Sequence, residues 1–450
     1  MSDGTATGDA TGADPQRSFN ELLSDCVHCG FCLPTCPTYV LWGEEMDSPR
    51  GRIHLMGQVH SEDVLNEAAV QAFDNCLGCL ACVSSCPSGV AYDALIETTR
   101  TRVEHEHERR PTERLLRTAI FSLFPYRRRL ALMRGPLRAY QASGLSRLVK
   151  RSGLLERISP SLATMERVAP PMRSAPSLPE RVPAVGRPRA VVGMLTGCVQ
   201  GAFFPQVNTA TARVLASEGC DVVVPRGQGC CGALSAHSGR SEEAAGFART
   251  TIETFERAGV DTIVVNSAGC GATMKHYARV LAEDGASADW SQRAEALSAK
   301  VMDLSEFLDD LGPQAERHPL PVRTAYHDAC HLSHGQGVTG APRRLLGGIP
   351  EIDLVDIPNP DICCGSAGVY NLLRPEPASE LGERKSSDVR STGAELLVAG
   401  NPGCSLQIAS AVGRSGGSIS VAHTAQILDA SIRGLPASAL TGDTAREDGS

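Results

Sequence analysis

The sequence predicts a multidomain protein that combines the α+β and α/β classes. A helical, cysteine-rich domain comes first, and two duplicated parallel-sheet domains follow. Three observations lead there. Two cysteine motifs of identical spacing lie between residues 26 and 87. A second set of cysteines recurs across the later half at offsets of 132, 133 and 134 residues, which marks an internal duplication. Most of those recurring cysteines follow short apolar runs separated by helical patterns, the sequence form of a parallel sheet.

The first motif reads Cys26-Val-His-Cys29-Gly-Phe-Cys32-Leu-Pro-Thr-Cys36-Pro37, and the second Cys76-Leu-Gly-Cys79-Leu-Ala-Cys82-Val-Ser-Ser-Cys86-Pro87. Both have the C-x2-C-x2-C-x3-C-P spacing of bacterial two-cluster ferredoxins. Three thiolates at that spacing wrap one iron–sulfur cube as the chain turns around it. The fourth cysteine, followed by a proline that stops the turn, points away to the other cube. Two 4Fe–4S clusters follow: one on Cys26, Cys29, Cys32 and Cys86, the other on Cys76, Cys79, Cys82 and Cys36. A zinc site would favour two C-x-x-C pairs over a triplet plus C-P.

Residues 1–18 are polar and small and read as a disordered tail. Residues 19–110 form the helical two-cluster ferredoxin-like domain. Because 39 residues separate Cys36 from Cys76, the spacer must fold by itself. Ser61 is expected to cap a helix with Val64, Leu65, Ala68, Ala69, Ala72 and Phe73 on one face, and a second helix is expected after Val90. Arg50-Gly-Arg-Ile-His54 reads as a basic loop that docks a partner or tunes a cluster's potential, or as a solvated loop that pairs its arginines locally.

Residues 111–188 read as a connector. Twelve Arg and Lys fall between residues 109 and 151, interleaved with Leu115, Leu116, Ile120, Leu123, Leu130, Leu132 and Met133. This predicts a basic, partly amphipathic helical segment broken at Pro125 and Pro136. It suits an anionic membrane surface or a solvated helical connector. From Pro160 to Pro188 the chain reads as a linker.

The duplicated domains span 189–316 and 317–435, with a tail over 436–450. Strands are expected at Ala190–Leu195, Asp221–Val224 and Thr262–Val265, then at Val322–Tyr326, Ile352–Ile357 and Leu396–Ala399. Val301–Leu308 resembles Val421–Leu428 near the end of each half. Ligands of open parallel sheets bind beyond the strands' carboxyl ends. Each half brings four thiols there: Cys198, Cys230, Cys231 and Cys270, then Cys330, Cys363, Cys364 and Cys404. They hold a further cluster or metal, or face a partner as thiols. The glycine after each Cys-Cys pair relieves backbone crowding. Cys220 has no counterpart and reads as a core residue. His327 and His331 flank Cys330 and suit hydrogen bonds to cluster sulfur, proton relay or a structural role.

Composition narrows the classes. A formal net charge of −8 argues against a nucleic-acid partner. No run approaches the ~18 apolar residues of a membrane span, and no signal-peptide pattern opens the chain, so a cytoplasmic metalloprotein is expected. No G-x-G-x-x-G follows a strand, so no FAD or dinucleotide site is expected on this chain, nor any catalytic residue for hydride chemistry. A partner must supply that chemistry.

On these residues the sequence resembles the iron–sulfur subunit of glycolate oxidase (glycolate dehydrogenase), over roughly residues 19–430. The resemblance is carried by Cys26-Val-His-Cys-Gly-Phe-Cys32, Asp47-Ser-Pro-Arg-Gly-Arg-Ile-His54, Cys363-Cys-Gly-Ser-Ala-Gly-Val-Tyr-Asn371, Leu372-Leu-Arg-Pro-Glu376, Gly400-Asn-Pro-Gly-Cys404 and His423-Thr-Ala-Gln-Ile-Leu428. It implies a complex whose FAD-binding subunits oxidise glycolate to glyoxylate while this subunit carries electrons towards the quinone pool, in the cytoplasm or peripherally on the inner face of the cell membrane. Double Cys-Cys-Gly domains also occur in lactate-utilisation proteins, anaerobic glycerol-3-phosphate dehydrogenase subunits and heterodisulfide reductases. The alternatives are therefore the equivalent subunit of a D-lactate or glycerol-3-phosphate dehydrogenase, or a thiol–disulfide enzyme. Heterodisulfide reductases end the motif in C-x-x-C, where this chain has Thr273 and Gln407.

Overall fold

The computed structural model describes residues 17–170, 172 and 177–442. The two tails expected from sequence fall largely outside that range. Where they enter it, Ser18 forms a capping box with Glu21 on the helix Phe19–Ser24, and a short helix occupies Ser438–Thr441.

The first domain is helical around its cysteines, with helices at Pro37–Trp42, Pro49–Glu62, Glu67–Asn75, Ala81–Ser84 and Tyr92–Glu106. Leu22, Ile53, Met56, Phe73, Tyr92 and Leu95 form its core. The helix expected after Val90 is present, but two expectations are corrected. Arg50–His54 is the first part of a helix, not a loop. Ser48 Oγ accepts from Gly51 N–H at 3.0 Å and Pro49 takes the first helical position, where its missing N–H costs nothing. Ser61 is no cap. It sits in the last turn of that helix and donates to Gln58 O at 3.1 Å. Asp63 ends the helix with φ 52°, and Asn66 caps the next one by accepting from Ala69 N–H at 2.9 Å. Val64 therefore lies ahead of the helix and is exposed, whereas Ala69, Ala72 and Phe73 are buried.

The connector is a string of helices: Pro111–Leu123, Arg127–Ala142, Leu145–Ser152, Leu154–Ile158 and Pro160–Val168. The break at Pro125 is present. Pro136, expected to break a helix, lies inside one. A proline loses one backbone hydrogen bond there, but Gly135 before it has no Cβ to clash with the ring. The linker starts later than Pro160, because Ser159 Oγ caps Pro160–Val168.

Nine strands build two sheets. The first holds β1 (Arg181–Val182), β2 (Ala190–Leu195), β3 (Cys220–Val223), β4 (Thr262–Val265) and β5 (Val301–Asp303), in the order β1-β3-β2-β4-β5. The second holds β6 (Arg323–His327), β7 (Asp353–Asp356), β8 (Leu396–Ala399) and β9 (Ser420–Ala422), in the order β7-β6-β8-β9. All pairings are parallel except β1 with β3, an edge strand not foreseen from the sequence. Without β1 the two orders are the same: second, first, third, fourth. Such an order puts a topological switch point beside the first strand, at the sheet's carboxyl edge.

The repeats interlock. Helix Pro205–Ser217 of the first packs on Thr424–Ile432 of the second, and Leu304–Leu311 of the first packs on Gly340–Gly347 of the second. One apolar core, with Val192, Met194, Leu215, Leu308, Leu346, Val398 and Leu428, runs through both. Arg213 spans the seam with hydrogen bonds of 2.8 and 2.5 Å to the Asp429 carboxylate. Cys220 is fully buried in this core.

Candidate metal centres

Cys26, Cys29, Cys32 and Cys86 surround one depression floored by Pro49, Ile53, Val90 and Tyr92; Cys82 reaches its edge. The turn through the first motif needs positive φ at His28 (55°) and Gly30 (87°). Arg50 closes this turn. It donates to His28 O at 3.1 Å while its Nε and Nη2 hold Glu45 at 2.6 and 3.0 Å. Burial pushes the Cys32 thiol up.

Cys36, Cys76, Cys79 and Cys82 face one another on the other side. Their negative forms repel: burial, then the thiols of Cys79, Cys76 and Cys36, push Cys82 well up. A thiophilic metal centre would remove that cost, so this donor set fits a cluster. Cys86 lies in the depression of the first motif's cysteines, and Cys36 neighbours Cys79 and Cys82 of the second motif as well as Cys32 of its own. Arg52 is wedged beside them, almost fully buried. It donates to Ala72 O at 2.6 Å and to Thr38 Oγ1 and Asp47 Oδ1 at 3.0 Å each, and stands 3.9 Å from Cys36 Sγ. Burial raises the Cys76 thiol, but Arg52, Arg100, the Gly78 N–H at 3.4 Å and the Tyr92 hydroxyl at 3.6 Å outweigh it and bring the thiol below its ordinary value.

The sheet domains bring each of the two later quartets together at the carboxyl ends of the strands. Cys198 follows β2, Cys230 and Cys231 follow β3, and Cys270 follows β4. Cys198 Sγ lies 3.6 Å from Cys230 Sγ, and the neighbouring Cys230 and Cys270 push the Cys231 thiol well up. In the second quartet the thiols of Cys330, Cys363 and Cys364 are likewise pushed well up by their cysteine neighbours and by burial. Both Cys-Cys pairs end in a glycine with left-handed backbone: φ is 86° at Gly232 and 87° at Gly365. A Cβ there would lie 3.0 Å from Ala244 O and 2.6 Å from Ala378 O, so both the conformation and the close approach require glycine.

At the two positions where a C-x-x-C would put another thiol, Gln407 is committed to structural bonds and Thr273 makes a long contact. Gln407 donates to Ala378 O at 2.8 Å and accepts from Asn371 at 3.0 Å, while Thr273 Oγ1 lies 3.5 Å from His237 Nε2.

The second quartet abuts the second motif directly. Leu77, Cys79, Cys363 and Tyr370 share one small core with Cys330, and the charge of Cys330 helps push the Cys79 thiol up, after burial. His331 Nε2 lies 3.0 Å from Gly78 O. Its ring stacks on His237 of the first repeat, 4.8 Å between centroids, and His237 Nδ1 lies 2.9 Å from Glu97 Oε1. Arg279 pairs with Asp93 and Glu97, and burial, then Glu97, pushes the neighbouring Glu283 carboxyl up to about 7. Sequence reasoning missed this three-way junction and the burial of Arg52. The junction residues are scattered singly along the chain. For Arg52 the Ser48-Pro49 helix start was the available signal.

A 4Fe–4S dicluster domain model matches residues 22–90, a cysteine-rich domain model matches 192–275 and 324–409, and a model of the linker region of the glycolate oxidase iron–sulfur subunit matches 112–169. The chain is 36% identical over 428 residues to the probable glycolate oxidase iron–sulfur subunit of Bacillus subtilis (strain 168), covering 92% of this chain and 96% of that protein. It is 34% identical over 415 residues to the glycolate oxidase iron–sulfur subunit of Escherichia coli (strain K12), covering 91% and 94%. Lactate utilization protein A of Shouchella clausii (strain KSM-K16) is 33% identical over 244 residues, 53% of this chain and 98% of that protein.

Proposed function

The chain belongs to the family of glycolate oxidase iron–sulfur subunits, and on that premise we propose that it is the electron-transfer subunit of a flavin-dependent glycolate dehydrogenase complex. Its partners are FAD-binding subunits that oxidise glycolate to glyoxylate, and a quinone is the acceptor. The observation that carries this reading is that Cys86 lines the depression of Cys26, Cys29 and Cys32, that Cys36 neighbours Cys79 and Cys82, and that the second motif packs against the second quartet. Cys26, Cys29, Cys32 and Cys86 hold one 4Fe–4S cluster, and Cys76, Cys79, Cys82 and Cys36 hold the other. Each of the two later quartets holds further metal. When bound, such clusters take up and release one electron at a time.

The residues of this chain set where and how readily that happens. Arg52 offers a buried positive charge to the thiolates of Cys36 and Cys76. The Gly78 N–H and the Tyr92 hydroxyl donate to Cys76 and spread its charge. Leu77 and Tyr370 exclude water between the second motif and the second quartet. The domains are taken as 19–110, 189–316 and 317–435 joined by the connector 111–188, except that β1 at Arg181–Val182 already belongs to the first sheet.

The test is reconstitution. Full chain and FAD-binding subunits are purified together and assayed by dye reduction with glycolate and with D-lactate. Turnover of glycolate is expected only when both are present. Turnover by this chain alone, or a complex that turns over D-lactate and ignores glycolate, would overturn the reading.

A second proposal concerns where the complex works. No helix among the described residues is long and apolar enough to cross a membrane. The connector exposes Leu132, Met133, Leu145, Leu148, Leu154 and Ile158 among its arginines. Apolar side chains beside a basic face suit peripheral contact with anionic lipid.

A further inference from the structure

The two quartets are not equivalent, because the second has a nitrogen donor that the first lacks. His327 is the last residue of β6, three positions before Cys330. Three positions before Cys198, at the end of β2, stands Leu195. Both are buried, Leu195 at 3% exposure in an apolar core and His327 at 2%. One ring nitrogen of His327, Cys364 Sγ and Cys404 Sγ all lie within 4.8 Å of one another, a grouping unmatched by other His, Cys or acidic side chains among the described residues.

We propose that His327, Cys364 and Cys404 bind one thiophilic metal atom, so that the second repeat carries a mixed nitrogen–sulfur centre. This rests on the reading that the second quartet holds metal. The spacing argues for a single atom. Cysteines at different corners of a cubane ligate different irons and stand well apart, whereas ligands of one tetrahedral metal lie about 3.5–3.8 Å from each other, given metal–nitrogen distances of about 2.0–2.1 Å and metal–sulfur distances of about 2.3 Å. Donors already within 4.8 Å need close by only about an ångström.

Two of the three donors sit in regular elements. His327 is held in β6 between β7 and β8, and Cys404 is in the first turn of the helix Pro402–Arg414. Asn401 Nδ2 donates to Cys404 Sγ at 3.4 Å, an outer hydrogen bond of the kind that orients a metal-bound thiolate. Cys363 and Cys330 pack against Cys79 of the second motif instead. Two sulfur-rich donor types suit zinc or an iron atom equally, and imidazole accepts either.

The experiment uses the full chain, purified anaerobically and analysed for zinc and iron. Wild type, His327→Leu (the first repeat's residue at this place) and Cys364→Ser are compared. Retention of the ferredoxin-domain electron paramagnetic resonance signals shows that each variant is folded. His327→Leu and Cys364→Ser are each expected to lose about one metal equivalent per chain. In wild type, a nitrogen ligand should be visible on that metal, by X-ray absorption if it is zinc or by nitrogen hyperfine coupling if it is iron. His327→Cys, which keeps a donor, should retain the metal and lose the nitrogen signature, and it decides the matter if His327→Leu fails to fold. Loss of metal in Cys364→Ser with full retention and an unchanged spectrum in the histidine variants overturns the histidine ligand alone. Full metal in all variants overturns it together with the metal reading of the quartet.

Discussion

Arg52 shows how one side chain can matter to both stability and redox chemistry. Its guanidinium is buried, yet every face of it is engaged by Ala72 O, Thr38, Asp47 or the sulfur of Cys36. Asn75 holds the same Asp47 oxygen at 3.0 Å, so the pair belongs to a network. Truncating one partner of such a pair leaves the other uncompensated and costs about 3–5 kcal/mol. Arg52→Met should lie near the lower end, since Asp47 keeps Asn75 and some exposure. The same change removes a positive charge beside Cys36 and Cys76. Reduction adds negative charge, so the midpoint of the cluster there should become more negative in Arg52→Met and move less in Arg52→Lys, which keeps the charge but loses the fork. Redox titration followed by electron paramagnetic resonance reads this directly. An unmoved midpoint would mean that Asp47 cancels the charge, leaving Arg52 a purely structural part.

The connector helices are the element whose sequence and surface disagree most with an ordinary globular role. A helix packed on a core hides its apolar stripe. Here Leu132 is 78% exposed and Leu148 65%, and among the described residues of Arg127–Ala142 only Leu130 is buried. Arg128, Arg129, Arg134 and Arg138 lie on the same helix. If these helices rest on anionic lipid, vesicles containing phosphatidylserine should sediment the chain at low salt. Binding should fall as ionic strength rises, because screening shortens to about 10 Å at 0.1 M. Leu132→Glu with Leu148→Glu should abolish binding while leaving iron content unchanged. Binding that ignores both salt and these substitutions would remove the membrane role and return the connector to a solvated spacer.

Across the whole molecule, the two repeats are held together by polar bonds as well as by the shared core, and one of these bonds titrates. His423 caps the helix Thr424–Ile432 by accepting from Ala425 N–H at Nδ1, 3.1 Å, so its proton is on Nε2, which donates to Asn266 O of the first repeat at 2.9 Å. Burial brings its pKa down to about 4 from 6.5. The unfolded chain therefore takes up this proton at higher pH than the folded one. The stability that the neutral ring contributes is present above about pH 6.5 and is lost as pH falls through about 4. The buried His327 and His331 act in the same sense, so the test is a difference. His423→Asn keeps a capping side chain and removes the titration. The slope of stability against pH between about 4 and 6.5, measured by denaturant unfolding, should be shallower in the variant. Identical slopes would show that protonation of His423 is not coupled to the seam.

The cysteine spacing determined the chemistry of this protein by itself, because ligand spacing along a chain that turns around a cluster is a local property. The duplication was equally legible. It depends only on matching intervals, and three of the six expected strands, at Ala190–Leu195, Thr262–Val265 and Leu396–Ala399, coincide with β2, β4 and β8. Local signals misread were local errors: Ser61 for Asn66 as a cap, and a loop where Ser48-Pro49 starts a helix. Only the tertiary structure decided the rest. It placed Arg52 under the second motif, set Cys79 against Cys330 and Cys363, stacked His237 on His331, and brought His327 to Cys364 and Cys404. Each of these joins residues distant in sequence, and no periodicity records such a meeting. It arises because two sheets of the same order share one core and leave their carboxyl rims facing the helical domain, where burial makes every charge and every thiol count.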